Sequence, residues 1–387
     1  MHRAFLVDVA PRQYESWRSA VTAVAMVAAL GALAGCGSVS PLPGTGVSPG
    51  ARSTADPEAV DRLFAPYARP GVPGAAVLVI KNGRPALVRA YGLAELETRS
   101  PVTEQTNFRL ASLTKAFTAT AVMLLVKDGR LGLDDRVREL VPDFPAYGRE
   151  IRIRHLLGHT SGLRAYEDFV PETSTRQIKD RDVVALLSRA HGLMFAPGAA
   201  FRYCDSNYAI LAVVVEKVSG QTFPRFLQER ILQPVGMTSS MVWEPGVTEV
   251  PHRAFGYGPK RRGGFGLADH TSTSTVLGDG GVYSSVRDLV AWDRALDEAT
   301  LLGARLQPLM WTPGALADGT KTRYGLGWFL GGEDAGSYAF HRGESSGFNH
   351  YMLKDQGRRL TVVVLTNRRG GAPADLAATI AAMPAFR

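Results

Sequence analysis

Ser112 and Lys115 stand three residues apart at the head of a segment whose apolar positions, Phe117, Ala121, Leu124 and Leu125, recur with helical spacing. Three residues apart on a helix is one face, so hydroxyl and amine lie within hydrogen-bonding reach. That pairing has a chemistry. A serine hydroxyl is a poor nucleophile until a neighbour takes its proton, and an adjacent amine assists. Unpaired N–H groups and the positive end of the dipole at a helix start also favour negative charge developing there. Taken alone, the spacing is common and more often marks a helix cap beside a solvated lysine.

Further stretches surround this pair: Leu156-Leu157-Gly158-His159-Thr160-Ser161-Gly162-Leu163, Phe201-Arg202-Tyr203-Cys204-Asp205, Gly280-Gly281-Val282-Tyr283-Ser284-Ser285, Tyr324-Gly325-Leu326-Gly327-Trp328 and His341-Arg342-Gly343. With Phe108 to Lys115 they resemble, in order and over about Glu58 to Asn367, the serine β-lactamase and penicillin-binding-protein superfamily. The branch is that of class C β-lactamases, D-alanyl-D-alanine carboxypeptidases, D-aminopeptidases and related esterases. The resemblance implies that Ser112 is the acylated nucleophile and Lys115 its proton partner. It implies that Tyr203, matching the Tyr of a Tyr-x-Asn motif, is general base toward the serine and then toward water. A phenol near pKa 10 needs a nearby cation for that task, which Lys115 would supply.

Two positions depart from the family pattern. Asp205 stands where the motif has Asn, replacing an amide that would contact a substrate carbonyl, unless Asp205 pairs with Lys115 instead. His341-Arg342-Gly343 replaces Lys-Thr-Gly, and a His there resembles the carboxypeptidase and esterase members. Neutral imidazole helps a substrate carboxylate less than an ammonium does, although Arg342 would compensate if it faced the cleft. Gly343 would let substrate lie close against its strand, and the backbone N–H groups of Glu344 and Ser112 would form the oxyanion hole.

The remaining reactive residue types are assigned blander roles. His155 and His159 have the i, i+4 spacing of a metal pair but no third ligand, so no metal is expected. Cys204 reads as a buried small residue. Gly278-Asp279-Gly280-Gly281 reads as a turn near the active-site rim, since it lacks the strand and helix context of a phosphate loop.

These residues need a frame, and 387 residues with 45% hydrophobic and 21% charged content suffice for a large core and exclude a disordered chain. Val21 to Ala34 is apolar but shorter than the roughly 20 residues of a spanning helix. Arg12 and Arg18 precede it and Leu33-Ala34-Gly35-Cys36 closes it, so it reads as a signal peptide whose end resembles the lipobox of bacterial lipoproteins. Cys36 would then be acylated, leaving Cys204 without a disulfide partner. The formal net charge of +8 on an exported chain suits anionic envelope polymers or phospholipid head groups, not nucleic acid. With Gly37 after the cysteine, the expected address is the periplasmic face of the envelope, the outer membrane in a Gram-negative cell.

Residues 1–35 are thus expected to be the signal and 36–57 a lipidated flexible tether. Ala75 to Ile80 and Pro85 to Tyr91 flank Asn82-Gly83, a strong hairpin signal. Tyr324 to Leu330, Ser337 to Arg342, Asn349 to Leu353 and Leu360 to Thr366 read as further strands. Helical patterns lie between, at Thr114 to Lys127, Asp182 to Ala190, Tyr208 to Val218, Phe223 to Leu232 and Arg287 to Leu296. The predicted fold is α+β and β-lactamase/transpeptidase-like: an antiparallel sheet flanked by helices (58–128 and 247–387) with an inserted, mainly helical domain (129–246). The expected activity is a cofactor-free serine hydrolase, acting on carboxylic esters or D-amino-acid amides and peptides of the cell envelope. β-Lactamase, D-alanyl-D-alanine carboxypeptidase and a non-catalytic penicillin-binding sensor are the alternatives.

Overall fold

A computed structural model describes residues 57–387 apart from Glu172 and Asp334. The expected signal, Cys36 and all of the expected tether but Pro57 lie outside the described residues. The chain enters through helix α1 (Pro57–Leu63) and forms a hairpin of β1 (Ala75–Lys81) and β2 (Arg84–Tyr91). Asn82 and Gly83 both have positive φ, 54° and 73°, as the tight twisted turn between such strands requires. A short β3 (Phe108–Arg109) leads through a 3-10 turn at Ala111–Leu113 into α2 (Thr114–Lys127). Helices α3 (Asp180–Leu187) and α4 (Asp205–Ser219) follow, then β4 (Met241–Val242), β5 (Val282–Ser284) and α5 (Val286–Asp297). Strands β6 (Phe329–Gly331), β7 (Tyr338–Ser345), β8 (Phe348–Asp355) and β9 (Leu360–Thr366) precede α6 (Pro373–Ala382).

Both chain ends meet in one six-stranded antiparallel sheet of order β6-β7-β8-β9-β1-β2, with Ala75 opposite Thr366 and Lys81 opposite Leu360. Each face of the sheet is covered, which explains why β1 and β9 are buried along nearly their whole length. Ala76, Leu78 and Ile80 face the large core shared with α2, α4 and α5. Ala75, Val77 and Val79 face a second core closed by α1 and α6. The Ser285 side chain caps α5 by accepting from the Asp288 N–H at 3.2 Å.

Three expectations need correcting. The strand predicted over Tyr324 to Leu330 shrinks to Phe329–Gly331, because Gly325 and Gly327 bend the chain close to the Met310 carbonyl and to α2. The helix predicted over Phe223 to Leu232 is α-helical only to Leu227 and closes in a π turn. Leu277–Gly280 is a buried helical turn behind the site, not a rim loop, and a Cβ on Gly278 would meet the Tyr208 carbonyl at 2.3 Å. The segment expected to be the helical insertion also returns one strand: β4 pairs with β5, which pairs with β3.

Candidate active site

Strand β5 fixes the approach to Ser112. The Leu110 N–H donates to the Val282 carbonyl at 2.8 Å, and the Val282 N–H donates to Thr114 Oγ1 at 3.1 Å. Between these anchors Ala111 adopts a φ of 49°, a conformation costing a non-glycine residue about 1 kcal/mol or more, held here by the bonds on either side. Ser112 follows in the 3-10 turn. Lys115 sits in the first turn of α2, a helix apolar on nearly every side and therefore central in the core.

Lys115 has no solvent exposure. Its ammonium donates to Ser112 Oγ at 3.0 Å and to the Asp279 carbonyl oxygen at 3.0 Å, and pairs with Asp205 Oδ1 at 2.6 Å. Burial alone would pull its pKa down, but the Asp205 carboxylate holds it above the usual lysine range. The Tyr203 ring lies 5.2 Å below the ammonium, and its hydroxyl is hydrogen-bonded to Ser112 and Lys115. Burial outweighs the pull of Lys115 and, with Asp205, pushes the phenol up to about 12. Near neutral pH Tyr203 keeps its proton and shares it with its neighbours Ser112 and Lys115.

Sequence reasoning found these residues but missed their acidic surroundings. Glu167, from a short turn at Tyr166–Phe169, and the buried Asp279 carry carboxyl oxygens within 4.8 Å of one another and of Asp205. Burial and the Asp205 charge hold Glu167 at about 8, and raise Asp279 well above the ordinary carboxylate range. Tyr166 donates to Asp279 Oδ2 at 3.0 Å. No local pattern announces Glu167 in a chain with 36 acidic residues; only the fold brings it to Lys115.

The strand motif differs from its expected role. Alternation along β7 sends Phe340 and Arg342 to the α6 side, where Phe340 stacks on Tyr351 at 5.6 Å and Arg342 lies opposite Tyr351 in register. Arg342 therefore does not face the cleft. His341 does, with its ring 6.1 Å from that of Tyr203. Its Nδ1 lies 2.7 Å from the Arg342 carbonyl and so carries the proton, leaving Nε2 to accept from the Tyr324 hydroxyl at 3.2 Å. Burial lowers its pKa to about 3. With both nitrogens engaged, the uncharged His341 positions Tyr324 and offers no cation to a substrate carboxylate. Gly343 also has a different reason for being glycine: a Cβ there would meet the Leu110 carbonyl at 2.3 Å, so it lets β7 pack against the nucleophile's own segment. This places the Gly343–Glu344 backbone beside Leu110–Ser112, with the Glu344 side chain exposed.

His159 acts as a brace. Its Nδ1 accepts from the Cys204 N–H at 3.2 Å, and its ring lies tilted 4.4 Å from that of Tyr203, so the residue holds the Tyr203 loop. Cys204 is buried, as expected, and burial pushes its thiol up to about 12.

A serine beside a buried lysine and a phenol, next to an antiparallel sheet with helices on both faces, is an arrangement that can carry acyl transfer. The chain belongs to the beta-lactamase family, whose model matches residues 60–385. It is a serine hydrolase. Penicillin-binding protein 4* of Bacillus subtilis is 31% identical over 76% of this chain and 67% of its own length. The D-aminopeptidase of Gluconobacter oxydans is 30% identical over 80% of this chain, which spans only 58% of that protein. Among solved structures, the octameric penicillin-binding protein homologue from Pyrococcus abyssi superposes with a TM-score of 0.73 at 26% identity, covering 84% of this chain and 77% of that one. The D-amino acid amidase of Ochrobactrum anthropi has a TM-score of 0.70 at 24% identity, covering 84% and 97%, and supports the fold.

Proposed function

We propose that the protein hydrolyses amides or short peptides of D-amino acids bearing a free α-amino group, through an acyl-enzyme on Ser112. The Ser112–Lys115–Tyr203 cluster carries the acyl transfer. Ser112 attacks the carbonyl, the backbone N–H groups of Ser112 and Glu344 receive the oxyanion, and Tyr203, bridging Ser112 and Lys115, passes a proton to the leaving amine. Water then repeats the attack on the ester.

The observation that carries the substrate class is the surplus of carboxyl groups. Glu167, Asp205 and Asp279 share one buried cation, Lys115. Glu167 is the exposed member and keeps its proton only because of its surroundings. An incoming ammonium neutralises the repulsion and lets Glu167 ionise against it, whereas an N-acylated substrate gains nothing there. Glu167→Gln is therefore expected to raise KM about 10- to 100-fold for a D-alanine p-nitroanilide, while leaving the N-acetylated analogue nearly unchanged. Equal losses on both substrates would contradict this assignment.

A second part of the proposal concerns the address. The apolar run Val21 to Ala34 and the sequence Leu33-Ala34-Gly35-Cys36 support acylation of Cys36 and anchoring in the cell envelope. Cell fractionation is expected to place the protein with membranes and Cys36→Ala in the soluble periplasmic fraction. An unmodified Cys36 by intact mass would sink the anchor.

A further inference from the structure

The ammonium of Lys115 poses a proton problem. An ammonium takes up no further proton without releasing one. Two of its acceptors, Ser112 Oγ and the Asp279 backbone carbonyl, are neutral, and the third is the Asp205 carboxylate at 2.6 Å. Tyr203, the other base in reach, holds its own proton near neutrality.

We infer that Asp205, acting through Lys115, is the final acceptor of the Ser112 proton during acylation. One Nζ proton first moves to Asp205 Oδ1, which leaves a neutral amine whose lone pair turns to Ser112 Oγ, and as the bond from Oγ to the substrate carbonyl carbon forms, the Oγ–H proton moves to that nitrogen. The carbonyl π pair becomes the oxyanion. Lys115 is an ammonium before and after the step, Asp205 goes from carboxylate to carboxylic acid, and the charge lost there reappears on the oxyanion. On collapse of the intermediate Tyr203 gives its proton to the leaving amine, and the proton stored on Asp205 returns through Lys115 to Tyr203. Asp205 touches no substrate atom in this scheme; it is a positioning and proton-storing residue. An Asn at this position could hold the Lys115 hydrogen bond but could not store the proton.

The titratable groups that face Asp205 are Lys115, Glu167, Asp279, Tyr166, Tyr203, Tyr324 and Cys204, and each is pushed toward its protonated form by it.

This inference rests on the acyl-enzyme reading, and the test separates the two. The kcat/KM of the full-length protein in detergent is measured against pH with p-nitrophenyl butyrate, an ester without a titrating group. Wild type, Ser112→Ala, Asp205→Asn, Asp205→Glu and Glu167→Gln are compared. Asp205→Asn is expected to move the acid limb alkaline by about one unit or more, a loss of about tenfold at about pH 6 that recovers by about pH 9. Asp205→Glu keeps the limb near its wild-type position at a lower plateau, and Glu167→Gln does not move it alkaline. A parallel loss at every pH in Asp205→Asn overturns the relay alone. Should that variant not fold, an alkaline shift in Asp205→Glu overturns it instead. Absence of any Ser112-dependent reaction in wild type overturns the acyl-enzyme reading and the relay with it.

Discussion

Lys115→Met is expected to lower kcat/KM by about 10³- to 10⁴-fold, the range seen when a positioned proton-transfer group is removed from a dry site. The reason lies in what the ammonium touches. Among the described residues it is the only cation bonded to Ser112, and it compensates Asp205 and the Asp279 carbonyl. Methionine fills the volume, so the site keeps its shape while losing both the proton path and the charge. Activity within tenfold of wild type would contradict the assignment of Lys115.

The second large effect is on stability. Lys354, on β8, is buried against Asp293 at 2.7 Å and Asp297 at 2.6 Å, both on α5, and its neighbour Thr361 donates to Asp293 at 2.6 Å. This pair pins α5 to the sheet from within the core. Replacing Lys354 by Met strands Asp293, whose side chain is 2% exposed, and is expected to destabilise the protein by about 3–5 kcal/mol. Replacing Asp293 by Leu as well should recover much of that loss, because an apolar pair of similar volume carries no desolvation penalty. Urea unfolding of the single and double variants checks both statements. A single variant within about 1 kcal/mol of wild type would show that the carboxylate finds another partner.

Sequence reading succeeded where chemistry is local. The Asn82-Gly83 hairpin, α2 with its exact span, and the buried run of β9 follow from turn chemistry and periodicity over neighbouring residues. Ser112 and Lys115 are adjacent on one helix face, so spacing alone suggested their contact. Asp205 was harder: its pairing with Lys115 was one of two readings, and only the packing of α4 against α2 settles it. Glu167 and Asp279 were illegible because they reach the site across many residues of chain. Arg342 and Gly343 show a different limit. A motif gives the residue types but not the face of the strand, and the register of β7 with β8 turns Arg342 toward Tyr351 and Gly343 toward Leu110. His341 was read correctly as neutral, but its engagement by the Tyr324 hydroxyl and the Arg342 carbonyl depends on a bend at Gly325 and Gly327 that periodicity did not reveal.

The central claim is that Ser112 carries the acyl group, and trapping that intermediate tests it most directly. A D-amino-acid ester mixed with the protein and quenched in acid is expected to add the mass of one acyl group, on the peptide containing Ser112. Ser112→Ala should show neither the adduct nor hydrolysis. An adduct on another residue, or turnover that persists in Ser112→Ala, would contradict the account.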